Sequence, residues 1–284
     1  MKLGLALAGG GMRGIAHAGV ITALEENNIE IDVLAGTSSG SLVAILNAMG
    51  FTGTEIYDLF NKYAYNLVGN NTEDIIFNSL LFDKGIKFDG LRSGKPIEDL
   101  YNQISIEKGY KYIKDIKKVV GVVSTDVIKE KECIFSSIIP KKSDYINDIE
   151  IGKAVRASSS FSVVFDPCLY KDKVLLDGGI LNNVPVDVAK KLGADKVIAV
   201  NFSNDKITEK SNIIDIGMKT VDIMGNRISK INLELSDILI TVDTDGTSLL
   251  DINNIEFCFK SGYRKAIEYM DEIKKLTSYN SHLK

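Results

Sequence analysis

The segment from Ile31 to Met49 reads IDVLAGTSSGSLVAILNAM and contains the turn Gly36-Thr37-Ser38-Ser39-Gly40. Val33 and Leu34, which precede the turn, are apolar residues typical of a buried strand. The segment therefore predicts a strand, a sharp turn and a helix. Apolar residues on the far side of the turn recur at the spacing of one helix face: Leu42, Ile45, Leu46 and Met49.

Ser38 stands at the centre of a GxSxG pattern, which at such a junction is typical of a nucleophile elbow. Gly36 and Gly40 would let the strand and the helix approach each other closely. The N-terminus of the helix favours negative charge beside the serine. Five-residue matches also arise by chance, so an ordinary loop with incidental small residues remains the alternative at this point.

The residues before this segment predict a first strand, a glycine loop and a helix. Leu3 to Ala8 is continuously apolar, as in a parallel sheet covered on both faces. The loop GGGMRG follows at positions 9–14, and Ile15 to Asn27 has the pattern of a helix. Together with the strand leading to Ser38 they form a βαβ unit. Arg13 of the loop could brace it or meet an anionic head group, although an arginine at such a position more often only caps a helix or is solvated.

The glycine loop allows three interpretations. It fits GxGxxG, with Glu30 or Asp32 near the place of a ribose-binding acid, and could bind a dinucleotide. It could also form an oxyanion hole through the backbone N–H groups of Gly10, Gly11 and Met12. The third interpretation is a turn that only packs closely. The serine elbow at the end of the next strand favours the oxyanion hole.

Composition and charge narrow the class of protein. The 284 residues permit one large α/β domain. A net charge of −4 gives no basis for nucleic-acid binding, which usually leaves a basic surface. Cys133, Cys168 and Cys258 are widely spaced and lack a CxxC motif, so they predict reduced thiols and a cytoplasmic protein, with no metal site.

Two segments imitate targeting signals. The apolar stretch at the start of MKLGLALAGGG is too short for a secretory signal and is predicted to be the first strand. Val33 to Thr54 carries no charge over a length close to that of a membrane span, but small and polar residues crowd its first third and its end. We therefore expect it not to cross a membrane.

Residues 51–112 change in character and predict short amphipathic helices, including one over Ile97 to Ile104. A helical cap over an active site, or a surface in peripheral contact with a membrane, would have this pattern. Core-facing helices explain it equally well. The aromatic and leucine residues concerned are Tyr57, Phe60, Tyr63, Tyr65, Phe77, Leu80, Leu81 and Phe82.

The second half predicts further strands and helices of an α/β domain. A strand ending in Asp177-Gly178-Gly179 begins what we predict to be a second parallel βαβ unit. The predicted strands are Lys118 to Thr125, a hairpin partner at Glu132 to Ser136, Val174 to Leu176, Lys196 to Asn201 and Asp237 to Val242. The predicted helices are Ile151 to Ala157, Val186 to Leu192, Ile213 to Leu235 and Cys258 to Lys275.

A serine nucleophile needs a base. The chain has two histidines, His17 inside the first helix and His282 near a polar C-terminus, and neither is well placed for a Ser-His-Asp triad. Asp177 is the remaining candidate, although a tight Asp-Gly turn would look the same. A carboxylate is about 2.6 pKa units less basic than an imidazole in model peptides. A dyad would therefore depend on burial of the acid and on oxyanion donors.

The ordered motifs GGGMRG, GTSSG and DGG resemble the patatin-like phospholipase family. The resemblance extends to Ala157–Pro167 and to LDGGILNNVPVDVAKKLGADKVIAVN, so it spans about residues 3–202. It implies a three-layer α/β/α fold with a mostly parallel central sheet. It also implies an acyl hydrolase with a Ser-Asp dyad, Ser38 as nucleophile and Asp177 as general base. The backbone of the first glycine loop would be the oxyanion hole.

Two departures from the family pattern occur: DGG where DGA is also common, and Phe161-Ser162-Val163 where a proline often stands. The resemblance implies a lipid or ester substrate and no cofactor. Because the sequence shows no linker, repeat or low-complexity run, we expect one domain over residues 1–284 with an inserted cap. A catalytically idle lipid-binding protein and a dinucleotide-binding module are the alternatives. The glycines that support the three motifs are Gly9, Gly14, Gly36, Gly40, Gly178 and Gly179.

Overall fold

A computed structural model describes residues 1–68, 93–162, 164–203, 213–245, 247 and 252–278 of the chain. These residues form an α/β/α fold around one mixed sheet of eight strands. Five strands run parallel in the order β3-β2-β1-β7-β8, and β6 and β5 follow beyond β3. The strands are β1 Leu3–Leu7, β2 Val33–Thr37, β3 Val119–Asp126, β4 Lys131–Ser136, β5 Cys168–Tyr170, β6 Lys173–Asp177, β7 Lys196–Phe202 and β8 Ile238–Val242.

The helices agree with the sequence pattern in type and closely in extent. Short 3-10 helices lie at Gly11–Gly14, Ile113–Asp115 and Gly178–Ile180. The predicted last helix is divided at Tyr269 into two. The α-helices are α1 Ile15–Glu26, α2 Ser39–Ala48, α3 Gly53–Val68, α4 Lys95–Glu107, α5 Ile151–Ser158, α6 Val186–Lys191, α7 Ile213–Glu234, α8 Ile255–Glu268 and α9 Met270–Ser278.

The core is centred on the parallel strands. All five residues of β1 and all five of β2 are buried, as expected for strands covered on both faces. Every residue of α2 is buried too. The uncharged stretch from Val33 to Thr54 is therefore a core strand and a core helix. In the part of the chain that the structure describes, no helix has the length and hydropathy needed to cross a membrane.

The prediction of a second parallel βαβ unit is wrong. β6 pairs antiparallel with β3, whereas β7 is parallel to β1, so α6 joins two strands of opposite direction. The cause is β5, which turns back through Lys171 and Asp172 to form an antiparallel hairpin with β6. β5 has only three residues and exposes Leu169, so no strand pattern is recognisable there in the sequence.

The described helices of the predicted cap segment face the core. Ile56 and Phe60 of α3 are buried, and the carbonyl of Ala18 in α1 approaches Gly53 so closely that a Cβ there would overlap it. Gly152 makes a similar approach between α5 and α4. Residues 69–92, with Phe77 to Phe82, lie outside the described residues. A cap over the active site therefore stays a prediction.

Candidate active site

The ends of β2 and β6 meet along one edge of β3. Thr37 of β2 lies opposite Val123, and Asp177 of β6 lies opposite the next residue, Ser124. β4 pairs with residues 121–126 along the other edge of β3. Because a strand has only two edges, β2 and β6 share one of them, and their opposite directions bring their carboxyl ends face to face. The residue after Thr37 is Ser38, so the predicted nucleophile and acid come from adjoining strand ends.

Ser38 has the backbone of a nucleophile elbow. Its φ of 51° and ψ of −124° are unusual for a residue with a side chain, and such a conformation costs on the order of 1–3 kcal/mol. Its N–H donates to the Ser158 hydroxyl at 2.9 Å. Its carbonyl accepts hydrogen bonds from the backbone N–H and the hydroxyl of Ser41. Hydrogen bonds thus hold both the N–H and the carbonyl of the strained residue. All other residues between Val33 and Met49 are buried, whereas Ser38 is partly exposed.

The glycines of GxSxG are required by close packing. A Cβ on Gly36 would overlap the carbonyl oxygen of Gly40, and a Cβ on Gly40 would overlap that of Leu7 in β1. Both neighbours are backbone atoms, which cannot move aside by changing rotamer. An ordinary loop with incidental small residues would not require glycine at either position, so that alternative does not account for these contacts.

Asp177 is 4% exposed and is positioned through its side chain and its backbone. Its Oδ1 accepts a hydrogen bond from the N–H of Gly179 at 2.8 Å. Its own N–H donates to the carbonyl of Ser160, and its carbonyl accepts from the hydroxyl of Thr125. A Cβ on Gly178 would overlap the Val123 carbonyl oxygen, which explains the glycine after the acid. The tight-turn interpretation is correct for the local backbone and is compatible with a second role.

The sequence suggested the N–H groups of Gly10, Gly11 and Met12 as oxyanion donors, but in the structure the Gly10 N–H already has an acceptor. The Gly9 N–H donates to Asn183, and the Gly10 N–H donates to the hydroxyl of Ser39 at 3.0 Å. Gly11 and Met12 begin a 3-10 helix, and their N–H groups have no acceptor among the described residues. Gly11, with φ of 57°, takes a conformation that favours glycine.

Arg13 and Gly14 hold this loop against the rest of the site. Arg13 is 2% exposed, and its Nε donates to the Gly10 carbonyl at 3.1 Å. Its guanidinium carbon lies 5.3 Å from the centre of the Phe202 ring. Of the roles suggested for Arg13, these contacts support bracing of the loop, and its burial shows that it is not a solvated residue. Gly14 packs so closely on Ser39 that a Cβ would overlap its side chain.

His17 is a core residue. It is fully buried, its Nε2 lies 2.8 Å from the carbonyl oxygen of Ala8, and its ring packs 4.9 Å from that of Phe202. Burial lowers the pKa of His17 to about 4, so the imidazole is neutral at pH 7 and Nε2 donates to Ala8. Its Nδ1 has no hydrogen-bond partner among the described residues. The other histidine, His282, lies outside them.

Three supporting residues were not predicted. Ser158 connects Ser38 to β3, since its hydroxyl also donates to the Val123 carbonyl at 2.6 Å. Ser39 holds Gly10, and Asn183 holds Gly9. The signals were present as a run of serines at the end of α5 and as two asparagines shortly after DGG. Polar residues that become fully buried need a partner, but the sequence does not show which one.

A sequence profile described as patatin-like phospholipase matches residues 5–190. The chain belongs to the patatin-like phospholipase family. It is 34% identical over 203 residues to the lysophospholipase NTE1 of Meyerozyma guilliermondii and 32% identical over 203 residues to that of Aspergillus fumigatus. Each match covers 71% of this chain, which spans only 12–13% of the length of these curated relatives.

The fold is shared with a solved structure at low sequence identity. VipD from Legionella pneumophila superposes with a TM-score of 0.56 at 14% identity, covering 95% of this chain and 66% of that one. The α/β/α class expected for the family is therefore confirmed. Membership of the patatin-like family also favours the hydrolase interpretation of the glycine loop over the dinucleotide interpretation.

Proposed function

We propose that this patatin-like chain is a serine acyl hydrolase that cleaves ester bonds of lipids through a Ser38-Asp177 dyad. The main support is the register in which β2 and β6 pair with β3, because it brings a strained serine and a buried aspartate to adjoining strand ends. The curated relatives are lysophospholipases, which supports a lipid substrate. We extend the proposal to one hydrolase domain over residues 1–284 with a cap at about 51–112. We place it in the cytoplasm, in peripheral contact with lipid.

In the first step, the Ser38 hydroxyl attacks the ester carbonyl carbon while the Asp177 carboxylate accepts its proton. The carbonyl oxygen becomes an oxyanion in the tetrahedral intermediate. When this intermediate collapses, the leaving alcohol takes the proton from Asp177 and the acyl group stays on Ser38. Water then attacks the acyl-enzyme with Asp177 again as base, which releases the fatty acid and restores both residues.

The oxyanion would be bound by the glycine loop. The N–H groups of Gly11 and Met12 are the best candidates, because no described residue accepts from either. Gly10 could contribute only by exchanging its bond to Ser39 for one to the substrate. Each donor of this kind typically contributes about 10²- to 10³-fold to the rate. We therefore assign Ser39 the role of fixing the loop.

Labelling by a fluorophosphonate tests the nucleophile. We expect the wild-type protein to be labelled stoichiometrically and Ser38→Ala to be unlabelled. Ser105→Ala, which removes a buried hydroxyl in α4 away from the site, is a matched control and should label like wild type. Labelling that persists in Ser38→Ala would remove Ser38 from the role.

Turnover of an ester panel defines the substrate class. The panel should contain a lysophospholipid, a diacyl phospholipid, a neutral glyceride and a short soluble ester, each above and below its aggregation threshold. We expect a preference for a lipid ester over the short one. A protein that binds these lipids yet hydrolyses none of them would instead be a catalytically idle lipid-binding member of the family.

A further inference from the structure

The long helix α7 carries an unusual number of exposed apolar side chains. Its described residues include Ile231, 73% exposed, and Ile223 and Met224, each 58% exposed. Isolated exposed apolar residues are normal on a protein surface, but a concentration on one element indicates an interaction surface. Among the side chains that the structure describes on or next to this helix, the exposed apolar ones are Ile216, Ile223, Met224, Ile228, Ile231 and Leu235.

Four of these residues form a continuous line, which we call the α7 stripe: Met224, Ile228, Ile231 and Leu235. Their spacing of i, i+4, i+7 and i+11 puts them on one face of a helix. The helix would bury such a face if it packed on the core in the ordinary way. Its buried face is a different one, so the α7 stripe is turned to the outside.

A neighbouring face of α7, about a quarter-turn around the helix from the α7 stripe, packs on the segment that follows Asp177. The buried hydroxyl of Ser229 accepts a hydrogen bond from the backbone N–H of Asn183 at 3.1 Å. The side-chain amide of Asn232 donates to the Oδ1 of Asn182 at 3.0 Å. Gly225 lies against Gly179, where an added Cβ would come within 2.8 Å of the carbonyl oxygen. The α7 stripe therefore borders the face of α7 that packs against the residues next to Asp177.

Two cations adjoin the α7 stripe. Arg227 and Lys230 are exposed and follow Met224 by three and six residues, which places both toward the same side of it. No acidic side chain of the described residues forms an ion pair with either of them. Glu234 is an exposed carboxylate on the same side, so the three charged residues leave a net positive charge of one beside the stripe. An apolar helix face with a net positive border is complementary to a lipid surface with anionic head groups.

We propose that the α7 stripe, with Arg227 and Lys230, docks this protein on an anionic lipid bilayer. The inference rests on the proposed function, because it gives the dyad access to substrate held in a membrane. Docking would set the four apolar side chains among the acyl chains and the two cations among the head groups. The candidate active site would then lie beside the lipid surface.

Cosedimentation with vesicles tests the docking without any measurement of catalysis. The probes are vesicles of phosphatidylcholine alone and of phosphatidylcholine with phosphatidylglycerol. We expect Ile228→Asp/Ile231→Asp to weaken binding to both kinds by at least about tenfold. Arg227→Glu/Lys230→Glu should weaken binding to the anionic vesicles alone and reduce its dependence on salt. Ile106→Asp/Ile128→Asp is the matched control, because both residues are 64% exposed, one in α4 and one in the turn between β3 and β4, and it should bind like wild type.

Several outcomes would overturn the proposal. Wild-type protein that does not sediment with either vesicle, or an α7 stripe variant that binds like wild type, would do so. A wild-type dimer that the stripe variant dissociates, without vesicle binding, would identify a second copy of the chain as the occupant. Failure of the docking proposal can be distinguished from failure of the hydrolase proposal, because Ser38→Ala should keep full vesicle binding. Equally, the stripe variant should keep wild-type turnover of a short soluble ester.

Discussion

The amide of Ser38 and the hydroxyl of Ser158 are joined by a hydrogen bond of 2.9 Å between residues 120 positions apart in the chain. The same hydroxyl donates to the carbonyl of Val123, so one buried side chain connects the elbow, β3 and the end of α5. The N–H of a residue with positive φ points away from the regular sheet ladder and needs another acceptor. Ser158 supplies it.

We expect Ser158→Ala to impair catalysis more than substrate binding. It leaves a buried N–H and a buried carbonyl without partners, which costs about 1–3 kcal/mol and lets the elbow relax. The turnover number should fall by roughly 10- to 100-fold with little change in KM. Ser158→Thr, which keeps the hydroxyl, should recover part of the loss. Steady-state kinetics on a short ester would measure this, and a loss no greater than that of Ser105→Ala would contradict it.

Ser38→Gly should be more stable than Ser38→Ala by about 1 kcal/mol, although neither can hydrolyse an ester. Alanine keeps the side-chain clash of a residue at φ 51°, whereas glycine relieves it at the cost of greater freedom in the unfolded chain. Urea denaturation of both variants at neutral pH gives the comparison. Equal free energies of unfolding would mean that the elbow stores no strain.

Asp177→Asn should fold normally and lose about 10²- to 10⁴-fold in turnover. An asparagine Oδ1 can still accept the hydrogen bond from Gly179, but the amide cannot take a proton from Ser38. Circular dichroism and thermal unfolding would confirm the fold, and Asp172→Asn, at an exposed turn, is the control. Full activity of Asp177→Asn would assign the base to another group.

Acidification should destabilise the protein through His17. Its pKa is about 4 in the folded chain and about 6.5 in the unfolded chain, so between these values the unfolded state binds more protons. Stability is therefore lost as the pH falls below about 6.5, and the loss reaches about 2 kcal/mol between pH 7.5 and pH 5. His17→Gln cannot titrate and should show a correspondingly smaller loss in urea denaturation. Equal pH dependence of the two proteins would disprove the assignment.

Gly40→Ala should be among the most destabilising substitutions in the chain. The new Cβ would overlap the Leu7 carbonyl in the centre of the sheet, so β1 and α2 would have to separate. We expect a loss of more than about 3 kcal/mol or failure to fold. Gly94→Ala is the control, because its Cβ would meet only the flexible Arg156 side chain at 3.1 Å or more. Similar melting temperatures of the two variants would argue against this packing.

The sequence was sufficient to predict the parts of the fold that depend on local patterns. Continuous apolar runs predicted β1, β2 and β3, and the turn at Ser38 predicted the elbow. The glycines of the motifs were especially useful for prediction, because contacts with backbone atoms leave no room for a side chain at positions such as Gly36 and Gly40. These are the positions where a small residue is a geometric necessity.

Features that depend on distant parts of the chain could not be predicted. The direction of β6 depends on its hairpin with the three-residue strand β5. The bond from Gly10 to Ser39 joins two motifs that the sequence treats separately, so all three loop N–H groups looked equally available to an oxyanion. The partner of Ser158 depends on where α5 ends relative to β3.

The meeting of β2 and β6 on one edge of β3 also has a consequence for biosynthesis. The ribosome makes the elbow early, but the acid that faces it is translated 139 residues later (177 − 38). A nascent chain that ends before residue 177 carries the elbow serine without the proposed base, and β7, which lies between β1 and β8 in the sheet, is translated later still. Under the proposed dyad, hydrolysis would therefore begin only after β7 has joined β1.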